Sequence, residues 1–188
     1  MELGKTLYVT TRQEWRAWLA KNHNKKNELW LVYYRKSSGK SRIPYNVAVE
    51  EALCYGWIDS IIKKVDENSF AQRFTPRKPT SQLSELNKER IKRLIKQNQM
   101  TPMGLKAIQH AFNPKKEKKF IVPKQILAEI KKEPDAWKNF QKMPLWYKKI
   151  RISYIGSSEQ QEKKIFEKRL NYFIKMTGKN KRFGFLKD

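Results

Sequence analysis

The stretch from Cys54 to Lys78 constrains the fold of this chain more than any other. Gly56 ends an apolar helical segment, and residues 57–65 then form a run rich in β-forming residues. Residues 66–69 have the polar composition of a tight turn, and residues 70–75 form a second β-forming run. The sequence therefore predicts an antiparallel hairpin that follows a helix.

The predicted turn also sets the register of this hairpin. A turn centred on residues 67–68 places Ile61 opposite Phe74 and puts Asp59 on the same side of the hairpin. Because side chains alternate between the faces of a strand, Arg73 then lies on the other side. A slip of one residue would exchange the two faces, so the register decides which polar residues meet.

Helices surround this hairpin in the predicted fold. Helical periodicity and capping signals predict helices over residues 12–22, 45–53, 81–99 and 102–112, and residues 28–35 are a further strand. The prediction is an α+β fold with a small, mainly antiparallel sheet and surrounding helices over residues 1–112. A basic linker at 113–122 and a C-terminal helical unit at 123–188 follow.

The net charge is strongly positive and unevenly distributed. The chain has 188 residues, 42 Lys and Arg and 18 Asp and Glu, for a net charge of +24. Residues 1–76 carry 13 basic and 8 acidic groups, or +5, which leaves +19 for the remainder. Such a field attracts polyanions such as nucleic acid, an acidic protein or an anionic membrane surface. A lysine-rich composition without any partner explains the same count.

Several classes of site are excluded by composition. Cys54 is the only cysteine, and the two histidines, His23 and His110, are far apart in the sequence. A disulfide framework, a structural zinc site and any other metal site are therefore not expected, and no cofactor is predicted. No run approaches the ~18–20 apolar residues of a membrane span, and no signal-like apolar core begins the chain. We expect a cytoplasmic protein.

The candidate ligand-binding residues lie in the hairpin, directly before it or after it. An arginine-rich strand end that leads to a helix start at Ser84 is typical of an anion site, and nearby aromatic rings can stack on a ring or base. The residues are Tyr55, Trp57, Asp59, Arg73, Thr75, Arg77, Lys78 and Asn87. The same pattern also fits a purely structural role, in which the arginines pair with carbonyls or with Glu50 and Glu51.

Two further functional classes stay open on the sequence. A carboxylate beside aromatic rings can act as a general acid or base, so Asp59 is the catalytic candidate if the protein is an enzyme. No nucleophile motif or second carboxylate accompanies it. Alternatively, the basic helical half docks on an acidic partner, a membrane surface or nucleic acid through charge alone.

The motifs resemble the YdeI/OmpD-associated family, whose members are also called bacteriocin-protection proteins. The resemblance rests on residues 54–60, residues 72–78, the Asn-Lys-Glu-Arg run at 87–90 and the segment from Met100 to Leu105. Residues 159–165 resemble the family's second block, with Gln160 and Gln161 where it has Thr and Arg, and Leu83 replaces its Trp. The resemblance implies tolerance to bacteriocins or antimicrobial peptides, and no catalytic residues. It favours a non-enzymatic binding or stress-tolerance protein.

Overall fold

The computed structural model describes residues 3–112, 119–157 and 162–184. These residues form two compact units. The first unit comprises residues 3–83 and 90–112, and the second comprises residues 84–89, 119–157 and 162–184. The predicted basic linker begins outside the described residues, at positions 113–118.

The first unit is built on a four-stranded sheet. Its strands are β1 (Thr6–Leu7), β2 (Leu29–Tyr34), β3 (Trp57–Lys64) and β4 (Ser69–Pro76), in the spatial order β1-β2-β4-β3. The β2–β4 and β3–β4 pairs are antiparallel, as predicted, whereas β1 pairs with β2 in parallel. The α+β prediction is confirmed. The sheet is mixed because helix α1 (Arg12–Asn22) connects β1 to β2 and lets the two neighbouring strands run parallel.

Local capping signals fix the helices of this unit. At the start of α1, Thr11 and Glu14 form the capping box that their spacing predicts. Helix α2 (Tyr45–Cys54) starts after Pro44, and Thr101 caps α4 (Pro102–Ile108). Helix α3 (Glu85–Lys96) is shorter than the predicted 81–99; its residues 85–89 belong to the second unit and 90–96 to the first.

One face of the sheet forms the core with helices α1 and α2. Alternation along β2 sends Leu29, Leu31 and Tyr33 to this face, opposite Phe74, Gln72 and Phe70 of β4. The buried side chains that pack there include Trp15, Leu19, Leu29, Leu31, Ala48, Val49, Leu53, Trp57 and Phe74. The two tryptophans Trp15 and Trp57 are both fully buried in this core.

The register of the hairpin differs from the predicted one. Phe74 pairs with Asp59 rather than with Ile61, and a bulge between Asp59 and Ile62 shifts the remaining pairs by one residue. The predicted Ile61–Phe74 pair is therefore wrong, and Ile61 is 48% exposed. The side-chain amide of Gln72 donates a 2.9 Å hydrogen bond to the carbonyl of Ser60 inside the bulge. This bond satisfies a backbone acceptor that the regular ladder leaves open.

The second unit is helical. Apart from residues 84–89 it contains α5 (Lys124–Lys131), α6 (Pro134–Lys142), α7 (Leu145–Gly156) and α8 (Lys163–Gly178). Apolar residues at helical spacing meet in one core, which comprises Ile126, Ile130, Ala136, Phe140, Met143, Tyr147, Ile152, Ile155, Phe166, Leu170 and Phe173. Prolines start α6 and immediately precede α5 and α7, where a missing backbone N–H costs nothing.

Candidate functional site

Asp59, which is half-buried, is the acidic residue of a polar cluster in the first unit. It is on β3, on the same side of the sheet as Phe74, and its Oδ2 accepts a 2.5 Å hydrogen bond from the hydroxyl of Tyr45. Burial raises the pKa of Tyr45, and the hydrogen bond to Asp59 and its negative charge raise this pKa further. Tyr45 is therefore a protonated donor that holds the carboxylate in place.

A second tyrosine lies close to this pair. Tyr33 is only 2% exposed, and none of the described residues forms a hydrogen bond with its hydroxyl. Burial raises the pKa of Tyr33, and the neighbouring Tyr45 and Asp59 raise it as well. The cluster therefore contains a phenol whose hydrogen-bonding capacity is unused within the described structure.

Arg77 contributes the most unusual side chain of the cluster. It follows the last residue of β4, its backbone N–H donates to the carbonyl of Gly56 at 2.9 Å, and it is 7% exposed. Its Nη2 donates to the carbonyl of Gln82 at 2.8 Å. Within the described residues, neither Nε nor Nη1 has a hydrogen-bond partner. Burial lowers the pKa of Arg77, and the Asp59 carboxylate partly offsets that effect.

Arg90 brings a second guanidinium to the same carboxylate. This residue of α3 is buried, and burial lowers its pKa, while the carboxylates of Glu50 and Asp59 and the neighbouring Tyr45 act in the opposite direction. Asp59 thus interacts with both Arg77 and Arg90. Arg77, whose Nε and Nη1 have no hydrogen-bond partner among the described residues, is the group whose charge an added anion would compensate.

The neighbouring charges on α2 are balanced instead. Glu51 is fully buried and accepts hydrogen bonds from Arg12 and Arg16, each at 2.8 Å. Glu50 pairs with Arg12 at 3.0 Å and also with Arg93. Glu50 and Glu51 therefore pair with these arginines and not with Arg73 or Arg77. Arg77 does meet a carbonyl, that of Gln82, as the structural interpretation of the sequence allowed. This network has the geometry of a structural ion-pair cluster. Its guanidinium groups bind carboxylates directly, whereas the Arg77 guanidinium donates to a backbone carbonyl.

Most of the other predicted residues have contacts of their own. Arg73 points its Nε and Nη2 at Glu28 Oε2, at 2.8 and 2.6 Å, so its charge is already paired. Thr75 lies opposite Ile58 and is half-buried, and Lys78 is exposed. Asn87 is buried in α3, where its backbone N–H bonds Ser84 Oγ at 3.2 Å within the second unit.

The two predicted aromatic residues have structural contacts. Trp57 is 1% exposed, and its indole N–H donates to the carbonyl of His23 at 3.0 Å. Its ring packs edge to face against Trp18, with centroids 5.7 Å apart. The Tyr55 ring lies under the guanidinium of Arg16, whose Cζ is 5.4 Å from the ring centroid. Trp57 therefore has no open face on which a base or ring could stack.

Sequence reasoning missed three members of the cluster: Tyr33, Tyr45 and Arg90. They come from β2, from the start of α2 and from α3, so no spacing in the sequence connects them to Asp59. The available signal was the hydroxyl groups themselves, because a tyrosine on a core-facing strand position needs a polar partner or a ligand for its hydroxyl.

The described part of the chain contains neither a metal-binding cluster nor a membrane-spanning helix. Residues 3–112, 119–157 and 162–184 contain no group of three or more His, Cys, Asp or Glu side chains placed to hold a metal ion. Among these residues, no helix is both long enough and apolar enough to span a membrane.

Two family models match the chain. Residues 7–107, more than half of the 188, match the family described as Domain of unknown function (DUF8412), and the chain belongs to that family. Residues 119–180 match the family described as Bacteriocin-protection, YdeI or OmpD-Associated, which confirms the family predicted from the motifs. The motifs at 54–60 and 72–78 lie in the first region, and residues 159–165 lie in the second. No curated protein and no solved structure shows significant similarity.

Proposed function

We propose that this YdeI/OmpD-associated protein is a non-enzymatic binding protein, and that its first unit binds a small anion between Arg77 and the tyrosines around Asp59. The observation that carries the proposal is Arg77, a guanidinium 7% exposed whose Nε and Nη1 have no partner among the described residues. A buried donor on a charged group that lacks a partner costs roughly 1–3 kcal/mol or more, and a bound anion removes this cost.

The chemistry of the donors supports a carboxylate or phosphate ligand. The guanidinium presents fixed N–H donors that suit planar or tetrahedral oxyanions, and the Tyr33 hydroxyl offers a further donor nearby. Asp59, bonded to Tyr45 at 2.5 Å, supplies an acceptor for any hydroxyl or amino group next to the anionic group. The preferred ligand is therefore a small anion that also carries a hydrogen-bond donor.

The same contacts argue against catalysis by the obvious groups. Asp59 is engaged by Tyr45, and burial raises the pKa of Cys54 to about 11, so its thiol is protonated at neutral pH. Binding without turnover accords with these two observations. The family description of residues 119–180 supports a role in tolerance to bacteriocins. We propose that the protein acts in the cytoplasm.

A thermal-shift titration tests the proposal. Inorganic phosphate, sulfate and acetate are added separately to the full chain, with chloride at equal ionic strength as the reference. A bound anion stabilises the folded state by RT ln(1 + [L]/Kd), so at least one oxyanion should give a saturable rise in Tm beyond that of chloride. Arg77→Met should abolish the saturable part of this rise.

Arg73→Met is the matched control, because it removes the same charge from a guanidinium that Glu28 already pairs. This variant should lose some stability but keep the anion response. A wild-type protein that responds to no oxyanion more than to chloride would contradict the proposal. So would an Arg77→Met variant that retains the full response.

A further inference from the structure

The second unit contains a cavity of about 770 Å³ that the proposed function does not use. Its lining comes mainly from α7, α8 and residues 183–184, and most of it is apolar or aromatic. The main apolar contributors are Ile150, Ile155, Ile165, Tyr172, Phe173 and Phe183. Ligand pockets in proteins typically occupy roughly 300–1,000 Å³, so this cavity has the size of a small-molecule site.

A buried arginine lines this apolar cavity. Arg151 of α7 is 8% exposed, and its Nε has no hydrogen-bond partner in the described part of the chain. Its Cζ lies 5.2 Å from the ring centroid of Tyr147 and 4.6 Å from that of Phe183. Burial lowers the pKa of Arg151. Stacking on two rings keeps the charged group in place, but it does not supply an acceptor.

The chain that follows α8 fixes the position of this guanidinium. The backbone N–H of Phe183 donates to the Tyr147 hydroxyl at 2.8 Å, and that hydroxyl lies 3.2 Å from the Phe183 carbonyl, to which it donates. Gly184 then passes so close to Arg151 that a β-carbon at this position would lie 2.2 Å from Nη2. Arg151 therefore packs against two rings and the Gly184 backbone, and this packing restricts its side chain before any ligand arrives, which lowers the entropic cost of binding.

Other charges on the cavity wall leave it positive. Arg169 lines it and donates from Nη1 to the Tyr154 carbonyl at 2.7 Å, with its Cζ 4.0 Å from the Tyr154 ring. Lys168 lines it as well. The acidic residue on the lining, Glu85, belongs to the same unit and is paired with Lys88 at 2.6 Å. Cationic groups thus face an apolar interior, and the described lining of the cavity contains no unpaired carboxylate.

We propose that this cavity binds an amphipathic anion, whose carboxylate head pairs with Arg151 and whose apolar tail lies along the isoleucine and aromatic side chains. The proposal is independent of the anion site near Asp59, which lies in the first unit and is polar. The head group supplies the acceptor that Arg151 lacks, and burial of the tail contributes roughly 0.8 kcal/mol per CH₂. Neither a purely polar anion nor a purely apolar ligand would match a buried arginine in an apolar cavity.

Isothermal titration calorimetry with decanoate and decanol on the full chain tests this proposal. Decanoate should bind with one-to-one stoichiometry at ~150 mM salt, and decanol should bind about ten-fold more weakly or worse, since it cannot make the charge-assisted bond. Arg151→Met keeps an apolar stem and should weaken decanoate binding about ten-fold or more while leaving decanol unchanged.

Two further variants make the result decisive. Lys138→Met removes the same charge from an exposed residue of α6 outside the cavity, and it should leave decanoate affinity unchanged. Ser153→Trp fills the cavity from an exposed position on its lining without altering Arg151, and it should abolish binding of both ligands. The proposal is overturned if wild type does not bind decanoate, if decanol binds equally well, or if Ser153→Trp binds as wild type does.

Discussion

The hydroxyl of Tyr45 lies 2.5 Å from Oδ2 of Asp59 and donates a hydrogen bond to it. This bond joins the first residue of α2 to the third residue of β3, and thereby ties the helix to the strand beside the Arg77 guanidinium. It also ties the protonation of a phenol to the integrity of the fold, because the donor must keep its proton for the bond to persist.

Alkaline pH should therefore destabilise the protein. Burial raises the pKa values of Tyr33 and Tyr45, so both keep their protons in the folded state when the unfolded chain has lost them. Their contribution to stability is complete below the ordinary tyrosine pKa of about 10 and declines as the pH rises above it. Urea unfolding at a series of pH values should show this decline, and Tyr45→Phe should make it shallower. Tyr172→Phe, at a half-exposed position, is the control; an equal change there would contradict the assignment.

Gly104 should tolerate no side chain. A β-carbon at this position would lie 2.2 Å from the carbonyl oxygen of Cys54, a backbone atom that cannot rotate away. We expect Gly104→Ala to lower the free energy of unfolding by about 1–3 kcal/mol or more. Gly156→Ala is the control, since nothing lies within 4 Å of its added carbon and alanine favours the helix by up to about 1 kcal/mol. Denaturant midpoints that fall equally in both variants would contradict this packing.

Glu51 should contribute strongly to stability although it lies outside the proposed site. Its carboxylate is buried and accepts one 2.8 Å bond from each of Arg12 and Arg16. Glu51→Gln removes the charge but keeps the shape, and it should cost about 1–3 kcal/mol of unfolding free energy. Glu67→Gln removes a carboxylate from an exposed pair with Lys64 and should change stability by less than about 0.5 kcal/mol. Similar losses in the two variants would show that burial of Glu51 is energetically unimportant.

The +24 charge should produce nonspecific binding to nucleic acid that is lost with salt. Fluorescence polarisation with labelled single- and double-stranded oligonucleotides at ~50 and ~200 mM salt measures this. An interface of ~6–10 phosphate contacts would lose about 10³–10⁵ in affinity over that range. Because Arg77 is buried, Arg77→Met should behave as wild type does. Binding that persists at the higher salt and disappears in Arg77→Met would instead identify the Asp59 cluster as a nucleic-acid site.

Local features of the fold could be predicted from the sequence because neighbouring residues determine them. Thr11 and Glu14 cap α1 through contacts three residues apart, and the polar turn at 66–69 joins two β-forming runs whatever surrounds them. The motifs that indicated the YdeI/OmpD-associated family are likewise short runs of neighbouring residues. The composition likewise determined the charge and the lone cysteine.

The register of β3 and the membership of the site depended on tertiary contacts. The bulge after Asp59 is accommodated by Gln72, whose amide reaches the Ser60 carbonyl across the hairpin. The pairs nearest the turn, such as Lys64 with Phe70, are one residue away from the predicted register, and the bulge adds a second residue. The two shifts together change the partner of Phe74 from Ile61 to Asp59, which keeps Asp59 on the same side of the hairpin as Phe74. The alternation of apolar and polar residues along β3 gave no means of locating the bulge.

The sequence by itself determined the elements, the family and the excess of positive charge. Only the tertiary structure decided which positive charges are paired, because pairing depends on burial and on partners from distant elements. Glu28 neutralises Arg73. Arg77, four residues later, is buried, and its Nε and Nη1 have no acceptor among the described residues. Arg151 acquires its surroundings from Tyr147 and from Phe183, which lies beyond the end of α8. These arginines differ in how deeply they are buried and in how far each guanidinium lies from a carboxylate. Local sequence spacing determines neither quantity.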